Sequence, residues 1–420
     1  MVTEVGVSKM GQEHSSEEAG EKLVKSARED GNIGNESFGL LFASSEFDLE
    51  GLAKGLESEI NCDWMGGTTV AEISSEGFSE DTAVFMLIES DDIRFSAVES
   101  SIGLHEDAQE AAKEAGSKFE DEYDQELDNR LVLTLVPGFT QSSEGLEFKF
   151  LQGLEQVLDS EISVIGASTG DGFNLKENFQ FFNGEVSSDK AVMALIQTNN
   201  EVVTGQAHGF EESIKTGVVT ESEGRLMKKV GGKPAAEFYG DAIDVSVDEL
   251  SKIYDLPLWN KLKSAFRYSL LKIRGKKPLM MHKVLNYSYD NIIGREVKSG
   301  EYRIISPLQV KNGGLLMTGQ IREGQTVHVL EGDKEKIRNA GAEAFEGLSP
   351  GETLFGVVAD CANRYLVLDE EEKDREVDAM REKIGDNLIG IYGEGEIGDG
   401  GFGLCTFVNQ TVTGFAVKRE

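Results

Sequence analysis

The sequence predicts an α/β fold, with an N-terminal domain of two repeated strand-helix-strand units and a C-terminal α/β domain with a mixed sheet. Three observations favour this fold. Apolar runs of strand length alternate along the chain with segments that carry apolar residues at helical spacing. The order strand, helix, strand over residues 38–88 returns over residues 131–196. A further strand, helix and strand follow between Leu354 and Ile397.

The two N-terminal units correspond most closely where the second strand of each unit ends. This strand ends in Gly66-Gly67-Thr68-Thr69 in the first unit and in Gly166-Ala167-Ser168-Thr169 in the second, with the loop from Asp171 to Asp189 as an insertion. Gly66 therefore corresponds to Gly166, and Thr68 to Ser168. Two pseudo-symmetric halves that share one core are expected. The other predicted elements of the units are strands at Phe38 to Ser44, Ala83 to Ile88, Leu131 to Val136 and Ala191 to Ile196, and helices at Leu49 to Ile60 and Gly145 to Leu158.

Two interpretations of these glycine-containing turns stay open. Small residues let backbone amides approach a ligand closely, and the hydroxyl groups of Thr68 and Ser168 add hydrogen-bond donors and acceptors. The same residues also suit a tight turn between a buried strand and the next segment. Neither turn matches a dinucleotide-binding or P-loop motif, so the sequence does not predict a nucleotide site.

Other segments are predicted outside the repeat. They are a strand over Thr3 to Met10, a helix over His105 to Tyr123, an apolar helix over Val247 to Leu271, a helix over Lys334 to Phe345 and a closing strand pair over Phe402 to Val417. A basic segment from Lys261 to Lys277 is predicted to pair with acidic neighbours or, as the alternative, to dock a partner protein.

The formal net charge of −35, from 76 acidic and 41 basic residues, is the strongest compositional observation. Nucleic acids and anionic membranes would repel such a protein, so neither is predicted as a partner. Solubility explains the charge simply, and adaptation to a salt-rich cytoplasm is an equally weighted hypothesis. No signal peptide precedes the first strand and no apolar run approaches the length of a membrane span, which predicts a cytoplasmic protein.

The cysteines and histidines do not predict a metal site. The three cysteines, Cys62, Cys361 and Cys405, contain no Cys-x-x-Cys pair and indicate neither a disulfide framework nor a zinc site. None of the five histidines has the spacing of paired metal ligands. We therefore predict no bound metal and assign no catalytic residue.

Two strand ends in the C-terminal third carry the residues best suited to bind a ligand. An apolar run from Leu354 to Ala359 leads to Cys361 and Arg364, and a later predicted strand ends in Gly393-Glu394-Gly395-Glu396. A helix over Glu370 to Ile384 separates them, so the strands are expected to be parallel neighbours whose C-terminal ends adjoin. Open sheets bind ligands at this edge. The candidate ligand-binding residues are therefore Cys361, Arg364, Gly393, Glu394 and Glu396.

These motifs also resemble a known family. A Cys-x-x-Arg at one strand end, a Gly-Glu-x-x-x-Gly beginning at Gly393, and Asn409-Gln410-Thr411 in the closing segment are similar to the C-terminal domain of the FIST family. The stretch from Val202 to Gly224 resembles the end of the family's N-terminal domain, and Gly231 to Tyr239 resembles the start of its C-terminal half.

The resemblance implies a domain organisation and a function. It implies a FIST N-terminal-like domain over residues 37–226 and a FIST C-terminal-like domain over residues 230–420. It also implies an intracellular ligand-sensing protein of signal transduction, and it adds Asn409 and Thr411 to the candidate ligand-binding residues.

Two roles stay open for Arg364. Its guanidinium suits an internal ion pair with Glu394 or Glu396. It equally suits the α-carboxylate of a ligand whose α-amino group meets a glutamate. The second role predicts an amino acid as the ligand, in agreement with the small-ligand role that the resemblance implies.

We therefore expect a sensory protein, not an enzyme, that binds a small polar ligand and passes the signal to a separate protein partner. A haem-binding nitric-oxide sensor is one alternative, because some proteins that resemble this N-terminal domain carry haem; His208 is then the candidate axial ligand. Otherwise no cofactor is predicted. A cysteine-dependent enzyme with Cys361 as nucleophile is the other alternative, with Arg364 favouring its thiolate.

Overall fold

The computed structural model describes residues 2–140, 145–254, 291–298, 301–349, 351–398 and 406–419. The predicted basic segment from Lys261 to Lys277 lies outside the described residues, as does most of the helix predicted over Val247 to Leu271. Cys405 also lies outside them.

The first structural unit occupies residues 3–90. Its elements are β1 (Thr3–Met10), α1 (Ser16–Asp30), β2 (Phe38–Ser44), α2 (Leu49–Glu57), β3 (Trp64–Thr69), β4 (Ala71–Ser74), β5 (Gly77–Ser79) and β6 (Ala83–Ser90). Helix α1 begins where the Ser15 side chain accepts a hydrogen bond from the amide of Glu18 at 3.3 Å. The strand predicted over Thr3 to Met10 and the strand predicted over Phe38 to Ser44 are both confirmed.

The second unit occupies residues 93–198. Its elements are β7 (Ile93–Glu99), α3 (Leu104–Ser117), a 3₁₀ turn (Glu120–Glu122), β8 (Asn129–Val136), α4 (Glu147–Leu154), β9 (Ser163–Ser168), β10 (Gln180–Phe182), β11 (Glu185–Ser187) and β12 (Val192–Thr198). The helix predicted over His105 to Tyr123 is thus shorter than expected, ending at Ser117 before the 3₁₀ turn. Its apolar face is buried as expected, from Ala108 to Phe119.

The remaining residues form a third unit that carries a long insertion. The third unit contains β13 (Val202–Ala207), α7 (Lys334–Glu343), β22 (Thr353–Cys361), α8 (Ala362–Val367), α9 (Glu370–Ile384), β23 (Leu388–Gly393), β24 (Gly395–Gly398), β25 (Thr406–Val408) and β26 (Val412–Lys418). The insertion contains β14 (Phe210–Glu223), β15 (Leu226–Val230), β16 (Lys233–Pro234), α5 (Ala235–Ile243), α6 (Val247–Tyr254), β17 (Asn291–Lys298), β18 (Glu301–Ile305), β19 (Pro307–Lys311), β20 (Gly314–Met317) and β21 (Thr326–Gly332).

Three six-stranded sheets in the described part of the chain exchange hairpins in a cycle. Their strand orders are β1-β6-β2-β3-β10-β11, β7-β12-β8-β9-β24-β25 and β13-β26-β22-β23-β4-β5. The first unit gives its β4–β5 hairpin to the third sheet, the second gives β10–β11 to the first, and the third gives β24–β25 to the second. Each sheet is mixed, since β2–β3, β8–β9 and β22–β23 are parallel and their neighbours are antiparallel. We call this assembly the three-sheet body.

One apolar cluster joins the three sheets. It contains Phe42 of β2, Leu133 of β8 and Val357 of β22, together with their buried neighbours on the inward faces. The helices pack on the outer faces: α1 and α2 on the first sheet, α3 and α4 on the second, and α8 and α9 on the third. Because strand side chains alternate between faces, each central strand contributes to both the inner and an outer cluster and reads as a continuous apolar run.

The insertion forms a separate sheet beside this body. Its order is β18-β17-β21-β14-β15-β20-β19, with β16 added to β15, and α5 and α6 cover one face. We call it the inserted sheet. Strands β17 to β21 all belong to it. The predicted domain boundary between Gly224 and Gly231 falls within its β14–β15 hairpin.

The structure confirms the α/β class and corrects two details. β22 and β23 are parallel neighbours, with Cys361 opposite Gly393, as predicted. The turn expected after Thr69 is the β4–β5 hairpin, which pairs with a strand from the other end of the chain. The strand pair predicted over Phe402 to Val417 is wrong, because β25 pairs with β24 in the second sheet while β26 joins the third. No helix among the described residues is long and apolar enough to cross a membrane.

The glycines in the parallel strands have a packing role. A Cβ atom added to Gly66 would lie 2.3 Å from the carbonyl oxygen of Leu41, and one added to Gly166 would lie 1.8 Å from that of Thr134. Gly390 of β23 meets the carbonyl of Val358 in the same way, at 2.7 Å. Any side chain at these positions would force the paired strand away.

Burial of Glu72 predicts that the stability of the fold depends on pH. Burial raises the pKa of Glu72 to about 8, although hydrogen bonds from Thr69 and Thr82 oppose the shift. The folded chain therefore keeps a proton that the unfolded chain releases above its ordinary pKa of 4.5. Glu72 thus stabilises the fold at acidic pH, and this contribution is lost as the pH rises towards about 8.

Glu72→Gln should remove this contribution, which is roughly 1.4 kcal/mol per pH unit within the window. The measurement is the free energy of unfolding in urea at several pH values for both proteins. Glu76→Gln is the matched control, because the Glu76 side chain is 68% exposed. Parallel pH profiles for the parent and Glu72→Gln would contradict a neutral buried Glu72.

Candidate functional site

A cavity of about 1240 Å³ lies between the three-sheet body and the inserted sheet. The body lines it with Phe139, with Glu147 and its neighbours on α4, and with Glu394, Asn409 and Gln410. The inserted sheet lines it with residues of the β14–β15 hairpin and of strands β17 to β20. The cavity therefore occupies the edge of the body at which strands β9 and β23 end.

Hydrogen bonds between backbones draw the three strand ends together at this edge. The Val70 amide, after β3, donates to the Tyr392 carbonyl of β23 at 2.9 Å. The Gly170 amide, after β9, donates to the Thr68 carbonyl at 2.9 Å, and the Glu394 amide donates to the Ser168 carbonyl at 3.1 Å. Ligand-sized space at the C-terminal ends of parallel strands is a common consequence of α/β topology.

Glu394 occupies the residue between β23 and β24 and lines the cavity. Its carboxyl group is buried, and neither oxygen has a hydrogen-bond partner of normal geometry among the described residues. Burial raises its pKa well above the ordinary range, and the nearby acids Asp171 and Glu147 add to the shift; the backbone of Phe139 offsets it only in part. The Glu394 carboxyl group is therefore poorly satisfied, and its environment favours the protonated form.

Glu147 lies at the same edge, at the start of α4. Its Oε1 atom accepts a hydrogen bond from the Ser168 hydroxyl at 2.8 Å. Burial raises the pKa of Glu147, and its hydrogen bonds and the charge of Arg225 oppose this shift. Ser168 thus orients a cavity-lining acid.

The corresponding turn of the first unit is closed by the loop that follows β9. The Thr68 hydroxyl accepts a hydrogen bond from the Phe179 amide at 2.8 Å, and the Thr68 amide donates to the Phe179 carbonyl at 2.9 Å. Asp171 holds this loop, since its carboxylate accepts the amides of Leu175 and Lys176, each at 2.7 Å. Gly66, Thr68 and Gly166 do not line the cavity.

The Asn409-Gln410-Thr411 segment links the body to the inserted sheet. Asn409 and Gln410 line the cavity, and the Gln410 side-chain amide donates to the Ser306 hydroxyl at 3.0 Å. Gln410 has a φ of 52°, a left-handed conformation that is uncommon for a residue other than glycine, asparagine or aspartate. Backbone strain of this kind is often found at functional sites.

Thr411 and Glu396 lie one layer below the cavity wall. The Thr411 amide donates to Glu396 Oε2 at 3.3 Å, and the Thr411 carbonyl accepts the Cys361 amide at 3.2 Å. The Cys361 thiol contacts the Glu396 carboxyl group, and burial raises the pKa of both groups well above their usual ranges. An activated thiolate is therefore not what this environment favours, and no observation supports a cysteine-dependent enzyme.

Arg364 has a different environment from the one predicted. Its Nε atom donates to Asp360 Oδ1 at 2.7 Å, and its Nη2 atom donates to Glu376 and, at 2.7 Å, to the Ile337 carbonyl. An internal ion pair, one of the two roles left open for Arg364, is present, but its partners are Asp360 and Glu376 and not Glu394 or Glu396. The cause is helical geometry: Asp360 lies four residues before Arg364, and α9 brings Glu376 to its other side.

Helix α9 is placed by a strong start signal. The Asp369 side chain accepts the Glu372 amide while the Glu372 side chain accepts the Asp369 amide, which forms a capping box. Arg364 is only 1% exposed and does not line the cavity. Its guanidinium therefore joins α7, α8 and α9.

The residues that the sequence singled out are thus divided among different places. Glu394 and Asn409 line the cavity, Ser168 binds an acid that does so, and Gly393, Glu396, Thr411 and Cys361 lie behind the wall. Sequence reasoning missed Glu147, Gln410 and the arginines of the inserted sheet. Gln410 lies within the Asn409-Gln410-Thr411 motif. No spacing in the sequence links Glu147 or the arginines to Glu394.

His208 does not fit the haem that was considered. Its Nε2 atom lies 3.1 Å from the Tyr302 carbonyl, and its Nδ1 atom accepts the Phe210 amide at 3.0 Å. Both ring nitrogens are therefore occupied by the backbone. Within the described ranges, no group of three or more histidine, cysteine, aspartate or glutamate residues has the arrangement of a metal site.

Comparison with known proteins identifies a family for most of the chain. The model of the FIST N domain matches residues 37–233, and the model of the FIST C domain matches residues 266–399. An uncharacterised protein of Methanocaldococcus jannaschii is 22% identical over 232 residues, which are 55% of this chain and 41% of that protein. The chain therefore matches less than half the length of this curated relative.

A solved structure is also similar in part. The cyanuric acid hydrolase from A. caulinodans is 10% identical, with 47% of this chain and 71% of that chain covered and a TM-score of 0.26. A score of this size carries no argument about fold or function.

The environment of Arg364 predicts a structural role that stability measurements can isolate. Arg364→Met removes the partner of two buried acids, so we expect a loss of about 3–5 kcal/mol in the free energy of unfolding. Arg375→Met is the matched control, because that arginine is 58% exposed and pairs with Glu371 at the surface. Urea unfolding measures both. Equal stability of the two variants would show that the buried network contributes little.

Proposed function

The chain belongs to the FIST family, and on this premise we propose that it is a cytoplasmic sensor that binds a small polar ligand with an amino group, such as an amino acid. The ligand would bind in the cavity at Glu394, and the signal would pass to a separate protein. FIST domains are associated with small-ligand sensing in signal transduction.

The observation that carries the proposal is the unsatisfied carboxyl group of Glu394. A buried polar group without a hydrogen-bond partner destabilises a protein by about 1–3 kcal/mol, so folds rarely keep one without a function. A ligand ammonium group would supply hydrogen bonds and a positive charge at this position. Glu147 lines the same cavity, and its charge adds to the raised pKa of Glu394.

The surrounding wall suits the remainder of such a ligand. Phe139, Phe173 and Leu175 offer apolar surface, and Asn409 and Gln410 offer side-chain amides that both donate and accept. Binding sites for small molecules commonly combine an apolar lining with a few placed polar groups. We do not assign the ligand's carboxylate to Arg364, because its guanidinium is committed to Asp360 and Glu376.

The position of the cavity supports a mechanism for signalling. A ligand that contacts both the three-sheet body and the inserted sheet would favour the arrangement of the two in which both contacts form. Gln410 already bridges them through its hydrogen bond to Ser306, so a change in their arrangement would alter this contact. The partner would recognise the ligand-bound arrangement.

The first prediction concerns ligand identity. A thermal-shift screen of amino acids and small amines at millimolar concentration should reveal ligands that raise the melting temperature of the purified protein. Glu394→Gln should abolish the shift, because an amide cannot provide the negative charge that an ammonium group selects. Glu371→Gln, on the exposed face of α9, is the control and should respond as the parent does.

Absence of any stabilising compound with the parent protein would count against the sensor. An equal shift for the parent and Glu394→Gln would place ligand recognition elsewhere.

The second prediction concerns protons. Because burial raises the pKa of Glu394 in the free protein, an ammonium group that lowers this pKa should release a proton on binding. Calorimetry in buffers with different ionisation enthalpies should therefore give different apparent binding enthalpies, and affinity should increase with pH until the ligand amine itself loses its proton. Identical enthalpies in all buffers would mean that Glu394 does not change its protonation state.

A further inference from the structure

The two walls of the cavity differ in charge. On the inserted sheet, six basic residues and one acidic residue line it, the acidic one being Glu223. On the three-sheet body, the lining contains three acidic residues and one basic residue. The whole chain has 76 acidic and 41 basic residues, so the basic wall reverses the general composition. The six basic residues are Arg225, Lys228, Arg295, Arg303, Lys311 and Arg322.

Strand register brings two of these arginines together. Arg295 of β17 and Arg303 of β18 are direct partners in the antiparallel ladder. Alternation puts them on the face that carries Ile293 and Ile305, which belong to the core beneath α5 and α6. The guanidinium groups thus continue an apolar face out to the cavity.

This arrangement brings positive charges close together on the cavity wall. Burial lowers the pKa of Arg295, and the positive charge of Arg322 lowers it further. Arg295 is therefore partly desolvated and lies near a second positive charge. In a structural ion pair, a negative charge would lie there instead.

Two other basic residues on this wall already have partners. Lys228 has an acidic partner, Glu223, at 2.8 Å, and Arg225 donates from Nε to the Met317 carbonyl at 3.0 Å. Among the described residues, no carboxylate forms an ion pair with Arg295 or Arg322. Arg295 and Arg322 are therefore the cations on this wall that are best placed for a ligand.

We propose that Arg295, Arg303 and Arg322 form a binding site for a phosphoryl group, on the wall opposite Glu394. A planar carboxylate is satisfied by one guanidinium fork and carries one charge. A phosphoryl group carries a charge of about −1.5 to −2 at neutral pH and three acceptor oxygens, which matches several converging guanidinium groups. The assignment rests on the proposed function only for the identity of this cavity as the ligand site.

The two walls together then define a ligand class. A small molecule with an amino group at one end and a phosphoryl group at the other would contact Glu394 on the body and the arginines on the inserted sheet. Such a ligand would supply partners to both walls and hold the body and the inserted sheet together. A molecule with only one of the two groups would contact one wall.

Calorimetry at neutral pH and constant ionic strength tests this site with three probes: inorganic phosphate, phosphoethanolamine and succinate. We expect phosphate to bind the parent protein, phosphoethanolamine to bind more tightly, and succinate to bind less tightly than phosphate. Arg295→Gln and Arg322→Gln should each weaken phosphate binding by about tenfold, the loss of one charge-assisted contact. Arg375→Gln, at an exposed surface pair, should bind phosphate as the parent does.

A structural role for Arg295 would give a different result. Removal of Arg295, whose pKa is lowered by the positive charge of Arg322, should leave stability in phosphate-free buffer unchanged or increased. Loss of a structural arginine would instead lower the free energy of unfolding in urea. Loss of stability in Arg295→Gln, absence of phosphate binding to the parent, or an equal loss in Arg375→Gln would each overturn the phosphoryl site. Tighter binding of succinate than of phosphate would overturn it in favour of a dicarboxylate.

Glu394→Gln separates this inference from the proposed function. The variant should bind phosphate normally and should bind phosphoethanolamine no more tightly than phosphate. If amino acids bind through Glu394 but phosphate does not bind, the sensor stands and the phosphoryl site fails. If phosphate binds through the arginines but Glu394→Gln has no effect on any amine, the amine-sensing function fails and the phosphoryl site stands.

Discussion

The exchange of hairpins among the three sheets is the constraint on which the rest of the structure depends. Each sheet is completed by two strands from a different unit, so the edge of β3, β9 or β23 is closed only when another part of the chain folds against it. An unpaired sheet edge exposes a row of backbone hydrogen-bonding groups, which makes the three units mutually dependent. The same exchange joins the strand ends that carry Thr68, Ser168 and Glu394.

Buried acids serve two purposes in this strongly acidic protein, and their partners distinguish them. Asp360 and Glu376 share one guanidinium, that of Arg364, and hold three helices in place. The Glu394 carboxyl oxygens are also buried, but Glu394 lines a cavity and has no comparable partner among the described residues. The contrast follows from desolvation: a buried charge must be paired or neutralised, and the charges of Asp360 and Glu376 are already paired with Arg364. This is why we place recognition at Glu394 and structural support at Arg364.

The cavity connects two bodies with different roles. The three sheets of the three-sheet body pack together as one unit, because one apolar cluster is common to them. The inserted sheet has its own core beneath α5 and α6 and contributes the opposite, basic wall. A ligand that bridges the acidic and basic walls would convert binding energy into a preference for one arrangement of the two bodies.

The sequence by itself determined the α/β class, the bounds of strands such as Phe38 to Ser44 and the parallel pairing of β22 with β23, and it singled out Glu394 and Asn409, which line the cavity. These follow from local periodicity and from residue types at strand ends, which are properties of short segments. Only the tertiary structure decided the partners of Arg364, the division of the last two strands between two sheets, and the basic wall formed by Arg295, Arg303 and Arg322. These depend on contacts between residues that are far apart in the chain or on opposite sides of a helix, and no local pattern encodes which distant segment completes a sheet or faces a cavity.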